Sequence, residues 1–426
     1  MRAHHVLGGG TFFHVRPHFS LSAPAFGTTA RRIHTLLREA APADACNLHL
    51  TRMAGGAAAL ETNDDVARLV ATVVADPGSS IIVMNAAVCD FEGHVVEGGE
   101  ATQSGKDQPR LRSAEGPFAL ALTAAEKVLS SIRATRKDLF VVGFKATADA
   151  TPAEQYDAGL ALLKRSHANL VLANDVRTGH HMVIAPELAR YHEGTDRDAA
   201  LRGLVEMAVA RSRLSFTPTT LVPGELVRWE SAEVPSALRT VVDHCVDRGA
   251  YLPFRGVTVG HFAYRSGTAE LTSSRRKRNF NLPGERDLVR VEFGARAVVA
   301  HGAKPSAGTR SQWEVLSAFP DFDCIVHVHC RTKPGSPVPV RSQRDVECGS
   351  HECGENTRNG MRRFGDLAAV MLDRHGPNVL FHRRIDPARV IAFMEENFDL
   401  TRRSDHFVDG IVSPQCASRT ARRVLA

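Results

Sequence analysis

From "HHVLGGGT" to "ANLVLANDV", strand-length apolar runs alternate with amphipathic stretches of helical period. Ile33, Leu36 and Leu37 fall on one face of "TTARRIHTLLREAA", and "DDVARLVATVVAD" repeats the pattern. "CNLHLTRM", "SSIIVMNAAV" and "DLFVVGF" read as strands, and "AEKVLSSIRAT" and "PAEQYDAGLALLKRS" read as helices. Such alternation leaves little choice: a mostly parallel, Rossmann-like sheet with helices on both faces, an α/β fold. In sheets of this kind ligands bind beyond the carboxyl ends of the strands, where Gly10, Asp90 and Asn174 would lie.

The alternation breaks at "GHVVEGGEATQSGKDQPRLRSAEG", which is expected to form a long mobile loop or lid. An amphipathic helix over 195–213 follows, and the proline-containing "SFTPTTLVPGELVRWES" has no clear period. The domain boundary is placed there, giving domains 1–213 and 214–426. In the second domain the helix "PSALRTVVDHCVDRG" ends at Gly249, followed by the short strands "VTVGHFAYR", "AELTSS" and "DLVRVEF". A helix near 310–318, the strand "CIVHVH" and a long loop over 331–359 come next. The chain then reads as the helix "GMRRFGDLAAVMLDRH", the strand "NVLFH" and the helix "PARVIAFMEENF". This is α/β with a largely antiparallel sheet, and the tail "ASRTARRVLA" is expected to fray.

A length of 426 residues suits two domains, and 43% apolar with 23% charged residues is an ordinary globular composition. Net charge +6 suits small anionic substrates as well as it suits nucleic acid. Aromatic residues make up only 6%, and no Lys/Arg run is interleaved with Phe or Tyr, which argues against a nucleic-acid reader. Eight scattered cysteines and no apolar run near eighteen residues point to free thiols, a cytoplasmic protein and no membrane span.

"GGGT" can cradle a phosphate, because glycines let the backbone approach an anion; many such turns are only tight turns. In order, "GGGTFFHVR", "ETNDDV", "MNAAVCDF", "VVGFKATAD" and "LVLANDV" resemble the phosphopantothenoylcysteine synthetase family, nucleotide-dependent ligases of coenzyme A biosynthesis. The resemblance covers residues 3–190. It implies that Gly8, Gly9, Gly10 and Thr11 hold the phosphates of CTP or ATP with Mg2+. It further implies that Ala86, Ala87 and Asp90 read the base and ribose, with Phe144 and Asn174 nearby and Lys164 on a phosphate. The family's basic pair in the mobile loop falls on Arg110 and Arg112, Arg112 being assigned a catalytic role. Its catalytic asparagine falls on Ser20, so the unmodified ligase reaction does not carry over. A Rossmann-like scaffold with a dead site is the bland alternative.

"CIVHVHC" places His327 and His329 two apart on a strand, hence on one face about 7 Å apart. Two such imidazoles can share a divalent cation, or sit hydrogen-bonded in a polar interior. The stretch from "AHGAKPSAGTR" to "VHVHC", with "FRGVTVGHFAYR" and "PNVLFHRR", resembles the class II aldolase family over about 238–400. That resemblance implies Zn2+, or another divalent transition metal, on His327, His329 and His382, acting as a Lewis acid on a carbonyl substrate. It places the substrate anion near His261, Arg275, Lys304 and Ser306. The family's acid/base glutamate falls on Gly308, and Glu352 is the candidate for a relocated base. Cys348, His351 and Cys353 could instead form a small second metal site or cap a turn.

The combined reading is a bifunctional enzyme. An acid-activating, ligase-like half is fused to a metal-dependent lyase, epimerase or dehydratase half, and both parent families lead one to expect a homo-oligomer. A non-catalytic scaffold, or a single lyase with a regulatory nucleotide domain, are the rival readings.

Overall fold

The apolar runs of the first half become the parallel strands Ala3–Gly10, Ala45–Leu50, Ser79–Ala87, Phe140–Thr147 and Leu170–Asp175. In space Ala3–Gly10 lies between Ala45–Leu50 and Ser79–Ala87. Phe140–Thr147 and Leu170–Asp175 come next, and His181–Ile184 pairs antiparallel beyond them. The chain leaves Ala3–Gly10 for one side of the sheet and returns on the other. Gly10 and Ala87 therefore end at the topological switch, the crevice where such sheets take ligands.

In this computed structural model the described residues are 2–56, 59–254, 256–294 and 297–403, and the tail "ASRTARRVLA" lies outside them. The chain divides into two units, Met1–Ala185 with His192–Ser212, and Pro186–Tyr191 with Arg213–Ala426. Among the described residues no helix is long and apolar enough to cross a membrane.

The expected loop over 93–117 is only partly a loop. Phe91–Glu97 and Ala119–Ala124 pair antiparallel, and Glu100–Ala101 adds a short third strand. Gly98 and Gly99, at φ 60° and 89°, supply the two left-handed residues of a tight hairpin turn, a signal present in "EGGE".

The second unit has a mainly antiparallel sheet. From Val298–His301 it runs through Leu288–Phe293, Glu270–Ser274, His261–Gly267, Cys324–His327 and Gly376–Phe381 to Leu367–Leu372. Side-chain alternation splits the core between the two faces. Phe262, Val326 and Phe381 pack with Leu238 and Val241 of the Ser236–Asp247 helix and Val390 and Met394 of Pro387–Asn397. Ala263, Ile325 and Leu380 face Val315 and Leu316 of the Thr309–Ala318 helix.

Two expectations fail here. "GMRRFGDLAAVMLDRH" is not a helix but the strands Arg362–Phe364 and Leu367–Leu372, turned at Gly365. Every residue of Leu367–Leu372 is buried, so the run has no polar face by which period could separate strand from helix. The expected loop over 331–359 contains a helix, His351–Gly360, whose start is fixed by Ser350 Oγ accepting from Cys353 N at 3.0 Å.

Candidate metal centre

His327 is the last residue of its strand, paired with His261 on one side and Asn378 on the other. The strand ends there, so His329 is not the regular same-face neighbour that an unbroken strand would give. Its ring centroid is 5.0 Å from that of His327, at 71°. A third imidazole completes the group, and it is His375. Its ring lies 4.7 Å from His327 and 4.6 Å from His329. One nitrogen from each of the three falls within 4.8 Å of the others, the only such cluster of His, Cys, Asp or Glu among the described residues.

His382, the expected third ligand, is at the wrong end. Cys324 pairs with Phe381 and His327 with Asn378, so the antiparallel register carries residue 382 away from His327. Four residues of strand span about 13 Å. His382 is exposed, and its Nδ1 accepts from Arg384 N at 3.1 Å. His375 precedes the same strand, in the turn after Leu372, and so sits at the His327 end. The signal was available in "DRHGPNVLF": two strands joined by a tight turn pair antiparallel, and the residue before the second lies opposite the end of its other neighbour.

The protonation pattern favours a cation. His327 Nδ1 lies 2.8 Å from the Pro377 carbonyl, which can only accept, so the ring proton is on Nδ1. Nε2 is left with a bare lone pair, buried and without a hydrogen-bond partner. Burial pushes the His327 imidazolium down to about 4, against the opposing pull of the Pro377 hydrogen bond. Burial, then the neighbouring His327 and His375, holds His261 well below its ordinary value. At neutral pH both rings are uncharged, the state in which imidazole binds a metal.

His261 does not serve as a cationic anchor for a substrate anion. It is buried and stacks on His327 at 4.6 Å, and its Nδ1 accepts from the Gln312 side-chain amide. Gln312 Oε1 accepts in turn from Ser273 Oγ at 3.2 Å, and Ser273 bonds Thr309 at 2.9 Å. This chain ties the His261–His327 stack to the start of the Thr309–Ala318 helix.

Arg275 also departs from its expected role. Its Nε and NH2 donate to the Asp287 and Gly284 carbonyls, each at 2.8 Å, and it is buried. The turn that carries Lys304 and Ser306 is nevertheless brought beside this strand end: Ser306 N donates to Ser274 O and Arg276 N to Lys304 O. Arg276, Lys277 and Lys304 are the exposed cations there.

Glu352 is not at the histidines. Both its oxygens accept from Ser215 N at 3.0 Å, and His351 Nε2 bonds Thr217 Oγ1 at 2.8 Å. The space beside the histidines is a small cavity, about the room one water or ion needs. His261, His327, His375 and Asn378 line it, together with Cys348 and Cys353. No carboxylate is among its lining residues. The hydrogen bond from Cys348, aided by those of Gln343 and Ser311, holds the Cys353 thiol below its ordinary value although burial opposes it. All the described cysteines are free thiols.

In the first unit, Gly9 and Gly10 pair with Ala86 and Ala87 at the sheet's switch point. Gly8, Gly9 and Gly10 form no turn but the end of the strand, packed by their own chain rather than left open: a Cβ at Gly10 would lie 2.0 Å from Ala23 O. Nor does a helix follow directly, because the hairpin Phe12–Arg16 with Phe19–Ser22 intervenes and the helix begins at Thr28. Thr11 Oγ1 donates to Asn63 Oδ1 at 2.7 Å and accepts from Cys89 N at 2.9 Å. Asp90 is exposed and paired with Lys127 at 2.5 Å, a cation that no motif marks. Phe144 and Asn174 lie on the same carboxyl edge, two and three strands from Gly10. Arg110 and Arg112 are exposed in the segment before Ala119–Ala124. Lys164 is at the opposite edge. The Pro152–Ser166 helix runs back from the carboxyl end of one strand to the amino end of the next, and Lys164 is in its last turn.

Residues 49–191 match the family described as DNA/pantothenate metabolism flavoprotein C-terminal domain. No curated protein matches the chain. One similar solved structure is the DNA/pantothenate metabolism flavoprotein from Streptococcus pneumoniae, at 19% identity over 49% of this chain and 99% of that chain, TM-score 0.41. Another is the C-terminal domain of the coenzyme A biosynthesis bifunctional protein CoaBC, at 15% over 49% and 95%, TM-score 0.34. A third is an L-fuculose 1-phosphate aldolase, at 16% over 46% and 98%, TM-score 0.30.

Proposed function

We propose that the chain is a two-unit biosynthetic enzyme whose second unit works with a divalent transition metal, Zn2+ in the first instance, held by His327, His329 and His375. The observation that carries this reading is the bare, buried Nε2 of His327 facing two further imidazoles. An apolar interior does not otherwise keep such a group without a partner. When bound, the ion supplies Lewis-acid polarisation of a substrate carbonyl or hydroxyl oxygen. Three protein nitrogens would leave such an ion able to take a substrate oxygen, as a catalytic rather than a structural zinc does.

The chain's own residues fix that arrangement. The Pro377 carbonyl sets the His327 tautomer and ring orientation. Gln312, held by Ser273, orients His261 against the back of His327. The exposed cations Arg276, Lys277 and Lys304 beside the Ser306 turn suit a small phosphorylated or carboxylated substrate. Carbon–carbon cleavage, epimerisation, dehydration and decarboxylation of a small anionic carbonyl compound are the reactions this chemistry fits.

The first unit is proposed to bind CTP or ATP with Mg2+ at the crevice beyond Gly10 and Ala87, in the manner of an acid-activating ligase. The family match over residues 49–191 and the position of these residues at the switch point support it. Two assays test the pair of activities. Metal-replete protein turning over anionic hydroxy-carbonyl compounds, with loss on chelation and return on adding Zn2+, supports the second unit's role. Pyrophosphate release from CTP or ATP on addition of carboxylic acids supports the first. Turnover that survives complete chelation, or no pyrophosphate with any acid tried, contradicts the respective half.

A further inference from the structure

Beside the first unit's crevice, where Phe12 N donates to Glu61 O one residue after Thr11, one cluster has the make-up of an activated nucleophile. Ser20 and His14 face each other across the hairpin Phe12–Arg16 with Phe19–Ser22. Ser20 Oγ is 2.8 Å from His14 Nδ1. The other ring nitrogen, His14 Nε2, is buried with no hydrogen-bond partner in ideal geometry, and Glu61 Oε1 stands 3.4 Å from it. Glu61 is itself buried. Arg52 NH1 donates to it at 3.0 Å, and Lys106 Nζ holds its second oxygen.

From these contacts we infer that Ser20, His14 and Glu61 form a nucleophile–base–carboxylate relay, and that the first unit carries a serine acyl-transfer activity toward activated esters bearing an anionic group. A ring proton on Nε2, facing the carboxylate, leaves Nδ1 to accept the Ser20 hydroxyl proton. This is the arrangement of nucleophile, base and orienting third group that activates a serine. Burial, then the Lys106 charge, holds His14 below its ordinary value in spite of Glu61, with Arg52 pulling the same way as Lys106. The ring is therefore neutral, and able to take a proton, at pH 7. Arg52 and Lys106 outnumber Glu61 and leave surplus positive charge, which suits an anionic acyl group. The relay does not depend on the metal or on the nucleotide.

The step balances without a redox partner. Ser20 Oγ forms a bond to the acyl carbon as its proton passes to His14 Nδ1. The bond from that carbon to the leaving oxygen breaks, and the leaving alcohol takes the proton from Nδ1. Water then attacks the acyl-serine by the same route in reverse, so ester and water give acid and alcohol.

The test uses the full chain with diisopropyl fluorophosphate and with p-nitrophenyl acetate as probes. Fluorophosphate labelling should add one phosphoryl group per chain, mapped to Ser20 by peptide mass spectrometry, with fluoride leaving. p-Nitrophenyl acetate should release a burst of one equivalent of p-nitrophenol. Ser20→Ala should abolish both. His14→Gln, with a wild-type unfolding midpoint, should slow labelling by roughly 100-fold, the usual contribution of a positioned base. If His14→Gln does not fold, Glu61→Gln takes its place and should slow labelling by roughly tenfold or more. EDTA-treated protein should label at the untreated rate, which separates this activity from the metal reading. Absence of label on Ser20, or labelling of the His14 or Glu61 variant at the wild-type rate, overturns the relay.

Discussion

A Cβ at position 308 would lie 2.3 Å from Nε2 of His261. The glycine and the histidine are therefore one feature: the imidazole that stacks on His327 fills the space a side chain at 308 would need. The aldolase resemblance puts a glutamate at 308, and with His261 in this place there is no room for one.

Gly308→Ala is accordingly expected to destabilise the protein by about 1–3 kcal/mol, the usual cost of overpacking a filled interior. His261→Ala should relieve that cost. In urea denaturation, the double variant should be more stable than the sum of the two single changes predicts. Additive losses would show that 308 and 261 do not compete for space.

The histidine cluster also sets a pH dependence for the metal-free protein. His327 falls from 6.5 unfolded to about 4 folded because burial disfavours its charged form. The unfolded chain then binds the extra proton between these values. Stability is unaffected above pH 6.5 and is lost as pH drops from 6.5 toward 4, by about 3 kcal/mol for a shift of this size. Unfolding midpoints at pH 7 and pH 5 should differ less for His327→Gln than for the wild type, since that variant lacks the titration.

Glu352→Ala should behave as a structural change. It removes the acceptor of Ser215 N at a partly exposed site, at a cost of about 1 kcal/mol. Turnover per folded molecule and metal content should be unchanged, measured by steady-state kinetics alongside metal analysis. A loss of kcat by two orders of magnitude at wild-type stability would restore it as the base.

Much of the fold was legible because period and burial agreed. "TTARRIHTLLREAA" shows Ile33, Leu36 and Leu37 on one face, and all three are buried in Thr28–Ala40. It failed where burial was complete: in Leu367–Leu372 every position is apolar whatever the conformation. The His327–His329 pair was visible as local spacing. Its third member shows only through the tight turn in "DRHGPNVLF", because the choice between His375 and His382 depends on strand register, which links residues fifty apart. The place of Lys164 is set by topology: a motif match does not show which way its helix runs across the sheet.

Metal content decides between the two thirds. Purified protein, and the His375→Ala and His382→Ala variants, would be measured for zinc by inductively coupled plasma mass spectrometry, with unfolding midpoints alongside. About one zinc per chain is expected in the wild type and in His382→Ala, with loss in His375→Ala while the fold is kept. Full zinc in His375→Ala together with its loss in His382→Ala would contradict the centre described for His327, His329 and His375.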